Sequence, residues 1–426
     1  MFMIVTEKLL HFIWQFQYFN KTSLSTTNNE KLSILKTGNL NHNQGPDFLH
    51  ASIKINDIIL AGNIEIHIYA SDWLKHKHNE DSNYDNVILH IVWKNDKPVF
   101  INNQLVPTLE LQPLVAKILL EKYHNLMQTK DEIPCKKFLP ALSEIGWLSW
   151  KERLAAERLE TKSERIVNLL KESNQHWEEV FWWLLAANFG IKINASCFEE
   201  IAKTISINIL AKHKNNIHQL EALLLGQANL LHENFSDDYT LMLQKEYQFL
   251  QHKYKLQQVK QKVQFLRMRP ANFPTIRLAQ LAMLIKNSSH LFSKIKEVEN
   301  VKELKKMFSI TANDYWHYHY LLDEKSAYHP KQLGNQMIDN IIINTIAPVI
   351  FTYGLYNKED VYKEKAIQWL QQINAEKNTV IKKWSDAGIK SKTAFDSQAL
   401  LQLDKMYCKQ LRCLECAVGN KVLAMA

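Results

Sequence analysis

Hydrophobic and polar residues follow two different periods along this chain, and the change falls near residue 130. Before it, short runs rich in β-branched residues are bounded by Gly, Asn, Asp and Pro, a pattern typical of strands. An apolar stripe at helical spacing, Glu7–Tyr18, precedes these runs. We therefore predict an α+β domain over residues 1–130, with a short helix near Ser71–His76. Its predicted strands are Ala51–Ile55, Ile58–Ala61, Asn63–Tyr69, Val87–Trp93 and Pro98–Ile101.

After the stretch 131–140, apolar residues recur almost continuously at helical spacing. The 10 Gly and 10 Pro make up 20 of 426 residues, under half of the usual share of roughly 12%. Such a scarcity of turn-forming residues disfavours an all-β fold. The pattern predicts a larger all-α domain over residues 141–426. Its clearest amphipathic helices are Trp147–Lys171, Asp237–Gln261, Asp360–Ile373 and Phe395–Cys416.

Several features indicate a soluble cytoplasmic protein without a membrane span. Glu7 and Lys8 interrupt the N-terminal apolar segment before it reaches the length of a signal peptide. The longest apolar run, Ile341–Tyr356, contains an Asn, a Pro and a Gly. Five cysteines are an odd number, which argues against the disulfide framework of a secreted protein. The formal net charge of +8 is compatible with a nucleic-acid partner without requiring one.

The sharpest candidate site combines carboxylates with a histidine. If Asn63–Tyr69 is a strand, Glu65 and His67 point to the same face, because side chains alternate with period two. Asp47, in a Gly-Pro-Asp-Phe segment before the preceding strand, would add a second carboxylate, and Glu7 on the first helix a third. Mg²⁺ and Mn²⁺ prefer such oxygen ligands. We predict that Asp47 and Glu65 bind Mg or Mn here.

This order of residues resembles the PD-(D/E)xK nuclease superfamily, in which a helical Glu, a Pro-Asp and a Glu-x-Lys on a strand follow one another. The resemblance covers about the first quarter of the chain and implies a metal-dependent nuclease with Glu7, Asp47, Glu65 and His67 as catalytic residues. His67 stands where the superfamily has a Lys that activates water and stabilises charge. A His there would be a weaker base, a cation or a metal ligand. The alternative is that Pro46–Asp47 is only a turn and that Glu65 and His67 lie on an exposed strand face.

A second polar cluster follows directly in the sequence. We predict that Trp73, His76 and His78 contact nucleic acid, with Trp73 stacking on a base or sugar. A loop would present either histidine toward the first motif. The alternatives are that Trp73 closes a small core and that both histidines face solvent. His90, which alternates with apolar residues in a strand, is predicted to be a buried core histidine.

Three arginines, Arg267, Arg269 and Arg277, surround Pro270 and Pro274 in a segment that enters a helix. Guanidinium groups beside a helix N-terminus are suited to phosphate, because exposed N–H groups and the helix dipole add to their charge. We therefore predict that these arginines contact nucleic acid. The alternative is that they cap neighbouring helices and pair with acidic residues.

The C-terminal cysteines suggest a second metal site. Cys408, Cys413 and Cys416 follow a C-x4-C-x2-C pattern, Cys135 stands alone near residue 130, and Cys197 lies in an ordinary helical context. Three thiolates plus Cys135 would suit Zn²⁺ or an iron–sulfur cluster. A one-plus-three arrangement is similar to that of iron–sulfur-stapled exonucleases of the PD-(D/E)xK superfamily, although their isolated Cys precedes the nuclease motifs. The alternative is that Cys413 and Cys416 are simply buried apolar residues.

The chain as a whole resembles a bacterial family catalogued as domain of unknown function 2851, which implies no particular activity. The resemblance is carried by the strings GPDF, GNIEIH, SDWLKHKH, YDNVILHIV, LLLGQANLL, RMRPANFPTIRLAQLA, NTIAPVIFTYG and YCKQLRCLEC.

The residues support one leading function and two alternatives. The leading hypothesis is a divalent-metal-dependent, nuclease-like phosphodiesterase acting on DNA or RNA, a hydrolase in which the metal polarises the phosphate. The first alternative is a non-catalytic scaffold that binds nucleic acid or protein on a degenerate nuclease fold, favoured by His67 in place of Lys. The second is a Zn²⁺ hydrolase with a non-nucleic substrate, which nitrogen coordination of the metal would favour.

Overall fold

A computed structural model describes residues 5–288 and 290–425 of the chain. It confirms the coarse prediction: an N-terminal α/β region with a mixed sheet is followed by a mostly helical region. By contacts, the chain divides into two compact units. The first comprises residues up to Trp150, Asp386–Ile389 and residues from Leu401 onward, and the second comprises Lys151–Ser385 and Lys390–Leu400.

The α-helices of the described residues, numbered in chain order, are α1 (Glu7–Gln15), α2 (Asp72–Lys75), α3 (Lys117–Gln128), α4 (Glu144–Glu172), α5 (Trp177–Phe189), α6 (Ile191–Thr204), α7 (Ile207–His213), α8 (Ile217–Gln227), α9 (Asp238–Tyr254), α10 (Pro274–Asn287), α11 (Leu291–Glu297), α12 (Val301–Met307), α13 (Asp314–His317), α14 (Asn335–Ile341), α15 (Ala347–Asn357), α16 (Asp360–Gln372), α17 (Thr379–Asp386), α18 (Ala394–Gln402) and α19 (Ala417–Ala424).

The strands of the described residues are β1 (Leu32–Lys36), β2 (Asn39–Leu40), β3 (Phe48–Ile55), β4 (Ile58–Tyr69), β5 (Val87–Lys94), β6 (Phe100–Ile101), β7 (Gln104–Leu105), β8 (Thr108–Glu110), β9 (His319–Leu321) and β10 (Glu324–Lys325). Six of them form the main sheet in the order β1-β3-β4-β5-β8, with β2 also paired to β3. The pairs β1/β3 and β3/β4 are antiparallel, whereas β4/β5 and β5/β8 are parallel. The sheet is therefore mixed, and β4 lies at its centre.

Helix α1 packs on this sheet through the apolar stripe seen in the sequence. The Thr6 side chain accepts a hydrogen bond from the Leu9 N–H, which satisfies one free donor of the first turn and fixes the start of the helix. Leu10 and Ile13 are fully buried, and Trp14 donates its indole N–H to the Thr37 carbonyl at 3.0 Å. The helix is thus held in place at both ends, with Glu7 in its first turn.

Strand β4 is continuous from Ile58 to Tyr69, whereas the sequence predicted a break at Gly62. Gly62 is needed for a close approach of two chain segments: a Cβ there would lie 2.5 Å from Ile88 Cγ2 and 2.6 Å from the Asn86 carbonyl oxygen. The glycine marks tight packing inside a strand rather than a turn.

Two of the predicted helices end early. Helix α9 stops at Tyr254 because Lys255 adopts a left-handed conformation with φ of 51°. The prediction of one helix over Phe395–Cys416 is wrong. That stretch contains the end of α18, a π-helical segment Leu403–Cys408, a break at Leu411 with φ of 51°, and a 3₁₀ turn at Cys413–Glu415.

The compact units differ from the predicted domains in the placement of residues 401–426. The composition change predicted a helical domain running through 141–426, while the contacts join the residues from Leu401 onward to the N-terminal region. Within the first unit, α19 contacts α3 and the 3₁₀ segment Lys136–Ala141, and Lys122 donates to the Met425 carbonyl at 2.8 Å.

The second unit is built around helices that are buried on most of their surface. In α8, the run Leu220–Gln227 is entirely buried. It includes Glu221, whose carboxylate accepts hydrogen bonds from the Trp316 indole N–H at 3.1 Å and from the Tyr239 hydroxyl. Burial raises the pKa of Glu221 to about 7. These two hydrogen-bond donors offset much of the free-energy cost of burying the carboxyl group.

One helical stretch of the described residues, Asn335–Asn357, is long and apolar enough to cross a membrane. In its most apolar window, 72% is buried inside the fold. Such burial is typical of a core helix, and the stretch is interrupted by a π-helical segment at Ile342–Ile346.

The α8/α9 contact provides a test of the helical core. A Cβ at Gly226 would lie 2.1 Å from Cδ2 of Tyr247, which is itself buried. Gly226→Ala should therefore lower the free energy of unfolding by about 1–3 kcal/mol through overpacking, measured by urea denaturation. Gly334→Ala is the control, because a Cβ there meets nothing within 4 Å. Equal stability of both variants would contradict the packing described.

Candidate metal centre

The centre lies where β3 and β4 pair. Phe48 is opposite Ile64 in the antiparallel register, so Asp47, just before β3, comes to lie beside Glu65 on β4. Glu65 and His67 share one face of β4, as period-two alternation predicts, and the Glu65 Oε1 to His67 Nε2 distance is 3.6 Å. The residues of the sequence motif therefore lie together at one site in the structure.

The two carboxylates are fixed by reciprocal hydrogen bonds. The Asp47 N–H donates to Glu65 Oε2 at 3.0 Å, and the Ile66 N–H donates to Asp47 Oδ2 at 3.0 Å. One oxygen of each carboxylate is used in this way. The backbone thus orients both groups as potential ligands, with Glu65 Oε1 facing the imidazoles of His67 and His78.

Three imidazoles cluster beside Glu65. His67, His76 and His78 each present one nitrogen within 4.8 Å of the other two, a spacing at which a single metal ion can be shared. His67 Nε2 lies 3.2 Å from His76 Nδ1, and His78 Nε2 lies 3.3 Å from Glu65 Oε1. His67 is buried, His78 is half-buried and His76 is exposed, so the cluster reaches from the core to the surface.

His90 completes the inner side of the centre. His67 Nδ1 lies 2.9 Å from His90 Nε2, within hydrogen-bond distance. When His67 Nδ1 donates this bond, the lone pair of its Nε2 is directed at the other imidazoles. A metal-binding histidine ordinarily uses its second nitrogen in this manner. His90 is fully buried, as predicted, and its position gives it an orienting role as well.

The walls of the centre are aromatic. Trp73 is fully buried, and its ring packs edge-on against His67, His78 and His90. Tyr84 stacks on His78 with ring centroids 3.8 Å apart. The prediction that Trp73 stacks on a base is therefore not supported, because no face of its ring reaches the surface. It closes the core, which was the alternative.

Glu7 and His11 enter the centre from α1. Burial raises the pKa of Glu7, the charges of His76 and His11 oppose that rise, and the nearby carboxylate of Asp47 adds to it. His11 Nε2 lies 3.2 Å from Asp47 Oδ2. His11 was missed by sequence reasoning, although its position four residues after Glu7 puts both on one face of the helix.

Burial sets the charges of the inner groups. It raises the pKa of Glu65, an effect that His78 partly offsets. Burial and, to a lesser extent, the charges of neighbouring imidazoles together lower the pKa of His67 to about 2 and that of His90 to about 3. Both imidazoles are thus neutral at physiological pH, the form in which histidine binds metal.

The donor set fits a divalent transition metal. His78 Nε2 is buried and makes no hydrogen bond of good geometry, although it lies 3.3 Å from Glu65 Oε1. Buried polar atoms left in this state point to a partner beyond the protein's own groups. Imidazole nitrogens with carboxylate oxygens suit Zn²⁺ and Mn²⁺, whereas Mg²⁺ prefers oxygen ligands alone.

The three predicted arginines do not share one environment. Arg267 and Arg269 are exposed and precede the 3₁₀ turn Pro270–Asn272 that leads into α10. Arg277 lies within α10 and is 7% exposed. Its Nη1 donates to Gln280 and its Nη2 donates to Asn272. Arg277 therefore belongs to the interior of the second unit, and a shared nucleic-acid surface for all three stays a prediction.

The four predicted cysteine ligands all belong to the first unit and are all buried. The thiols of Cys413 and Cys416 raise the pKa of Cys135, and those of Cys416 and Cys135 raise the pKa of Cys408, in each case after burial as the main cause. The four thiols therefore lie close enough to influence one another electrostatically. Cys197 is part of the second unit, where its thiol donates to the Gln261 carbonyl at 3.3 Å.

The comparisons place the chain in a family. A family model described as protein of unknown function (DUF2851) matches residues 7–379, which is most of the chain. The chain therefore belongs to the DUF2851 family. A search of curated proteins and a search of solved structures found no match. The matched range contains every residue of the metal centre and ends before Cys408.

The depressed histidine pKa values predict an acid-sensitive fold. In the metal-free protein, the unfolded state binds protons below pH 6.5, while folded His67 and His90 stay neutral down to about pH 2 and 3. Stability must therefore fall as the pH drops below 6.5, by about 2 kcal/mol per histidine at pH 5. Urea denaturation at pH 7 and pH 5 measures this loss.

His90→Gln should reduce the acid-induced loss of unfolding free energy by the contribution of one histidine. His42→Gln, at an exposed position, should leave it unchanged. The same loss in His90→Gln as in the wild type would show that the burial of His90 does not control it.

Proposed function

We propose that this protein is a divalent-metal-dependent, nuclease-like phosphodiesterase acting on DNA or RNA. The observation that supports it is the convergence of Asp47, Glu65 and His67, with Glu7 in the same electrostatic cluster. These are the residues through which the chain resembles the PD-(D/E)xK superfamily. The mixed sheet with a helix packed on it is compatible with such a fold.

In this proposal the metal ligands are Glu65 Oε1, Asp47 Oδ1 and the imidazole cluster, and Mn²⁺ suits this donor set better than Mg²⁺. The bound metal would supply Lewis-acid chemistry at the phosphate. Backbone N–H groups hold both carboxylates in orientation, and His11 positions Asp47.

His67 takes a different role from the Lys of the superfamily. Its pKa of about 2 keeps it uncharged, so it cannot provide the cation that Lys provides. Its Nε2 lies among the other candidate ligand atoms, so we assign it to metal binding. This substitution is also the observation that favours the second candidate function, a scaffold that binds nucleic acid or protein without cutting it.

The three imidazoles favour a further candidate, a Zn²⁺ hydrolase whose substrate is not a nucleic acid. The burial of Trp73 removes the proposed base-stacking surface beside the centre and is compatible with this candidate. Metal analysis of the purified protein and a comparison of nucleic-acid with simple phosphodiester substrates distinguish the two hydrolases.

The enzyme and the scaffold are separated by two substitutions. Asp47→Ala and Glu65→Ala should each lower Mn²⁺-dependent cleavage of DNA or RNA by about 10³-fold or more, because several kcal/mol of barrier reduction depend on the metal. Binding of the same substrate should change little, since phosphate contacts supply most nucleic-acid affinity. Cleavage is measured on gels with labelled substrate, and binding by fluorescence anisotropy.

His67→Lys tests the role assigned to His67. If its Nε2 binds the metal, this variant should lower both metal affinity and rate, whereas a preserved or raised rate would assign it to water activation. Circular dichroism verifies that each variant is folded. A wild type that cuts nothing with any divalent metal, or alanine variants that cut as well as the wild type, would leave the scaffold as the better description.

We also propose that Cys135, Cys408, Cys413 and Cys416 hold Zn²⁺ or an iron–sulfur cluster. Cys416 precedes α19; burial raises the pKa of its thiol, and the backbone N–H groups of Gly419 and Val418 partly offset that rise. Four thiolates suit either a tetrahedral Zn²⁺ or an iron–sulfur cluster.

Protein purified without oxygen should contain Fe or Zn in proportion to chain, measured by elemental analysis and visible absorption. Cys413→Ser should lose the metal and lower the melting temperature, because metal binding contributes folding free energy. Cys197→Ser should keep the metal, since Cys197 belongs to the second unit. Metal-free wild type, with a Cys413→Ser variant of unchanged stability, would contradict the proposal.

A further inference from the structure

A polar cavity of about 530 Å³ lies within the second unit. Its lining combines positive charge with amides, and no Asp or Glu of the described residues lines it. The volume is that of a small-molecule site and is larger than a single phosphate ion requires. The cations are Arg277, Lys192 and Arg165, the last of which pairs with Glu199, and the amides used below are Asn188, Asn272 and Asn344.

Arg277 is the central group. It is 7% exposed, yet it forms no ion pair with an Asp or Glu of the described residues, and its Nε has no hydrogen-bond partner there. Its bonds go to the neutral amides of Gln280 and Asn272. A buried charge is costly unless a counter-ion compensates it. An arginine kept in this state points to an anion that comes from outside the chain.

The amides around Arg277 present donors. Asn272 Oδ1 already accepts from Arg277 Nη2, and Asn344 Oδ1 already accepts from Lys162 Nζ at 3.0 Å. In both residues the oxygen is occupied, so the NH₂ group remains for a ligand. The cavity is thus rich in hydrogen-bond donors, which suits an oxyanion.

The backbone at the cavity is irregular. Ile342–Ile346 is π-helical, and this segment supplies Asn344 and Thr345 to the lining. Thr345 Oγ1 accepts a hydrogen bond from Asn188 Nδ2 at 2.9 Å, while the buried Asn188 Oδ1 has no partner among the described residues. Single π-turns in helices recur at functional sites. The unpaired acceptor offers a contact for a hydroxyl or amino group attached to the anion.

We propose that this cavity binds a phosphorylated small molecule, with its phosphate on Arg277 and Lys192 and a polar group near Asn188. Arginine matches phosphate geometry through its planar fork of donors, and exposed Lys192 adds charge at the rim. This site is separate from the metal centre, which belongs to the first unit, and the proposal does not depend on nuclease activity.

The test is whether inorganic phosphate and adenosine monophosphate bind to the full chain. Binding is measured by calorimetry and by the change in melting temperature, both at constant ionic strength. The monophosphate should raise the melting temperature by several degrees once its concentration exceeds the dissociation constant by about 100-fold. Adenosine, which lacks the phosphate, should not. No binding of either phosphate probe, or equal binding of adenosine, would overturn the proposal.

Arg277→Met should weaken binding of the monophosphate by about tenfold or more. It should leave the melting temperature of the ligand-free protein unchanged or raise it, because it removes a buried charge without a counter-ion. Lys192→Ala, an exposed change that does not threaten folding, should weaken binding severalfold at low salt. Lys382→Ala, exposed and outside the cavity, should bind like the wild type. Binding that is the same in all three variants would show that the cavity is not the site.

Discussion

The pair of hydrogen bonds that Asp47 and the Glu65–Ile66 segment exchange is the constraint on which the candidate metal centre depends. Each bond joins a carboxylate of one strand region to a backbone N–H of the other. The register of β3 against β4 therefore also fixes the orientation of both carboxylates. A slip of one residue would turn Glu65 and His67 to the opposite face of the sheet. The fold and the chemistry of this site are therefore selected together.

Burial determines which groups of the centre carry a charge. Two imidazoles and a carboxylate lie almost without solvent among Trp73 and Tyr84, where charged forms are costly. The result is a centre whose two inner imidazoles, His67 and His90, are neutral and whose inner polar atoms are incompletely paired. Such a network is expensive to leave unsatisfied. Arg277 in the second unit is a comparable case. It is a buried cation without a counter-ion, just as buried nitrogens of the centre lack hydrogen-bond partners.

Local patterns in the sequence predicted much of this structure, and long-range geometry escaped them. Period two placed Glu65 and His67 on one face, and the change of period near residue 130 marked the end of the sheet region. The break at Gly62 was predicted wrongly, because a glycine that allows close packing has the same sequence signature as one in a turn. The burial of Trp73 and the bond from His67 to His90 depend on a parallel crossover from β4 to β5, which no local period encodes.

The membership of residues from Leu401 onward in the first unit has a consequence for biosynthesis. A chain emerging from the ribosome exposes its N-terminal sheet long before these residues are made, and domains usually fold as they emerge. Here α3 and the Lys136–Ala141 turn must wait for α19. During that interval the nascent first unit is incomplete, and its unpaired apolar surface is a natural target for chaperones acting during translation.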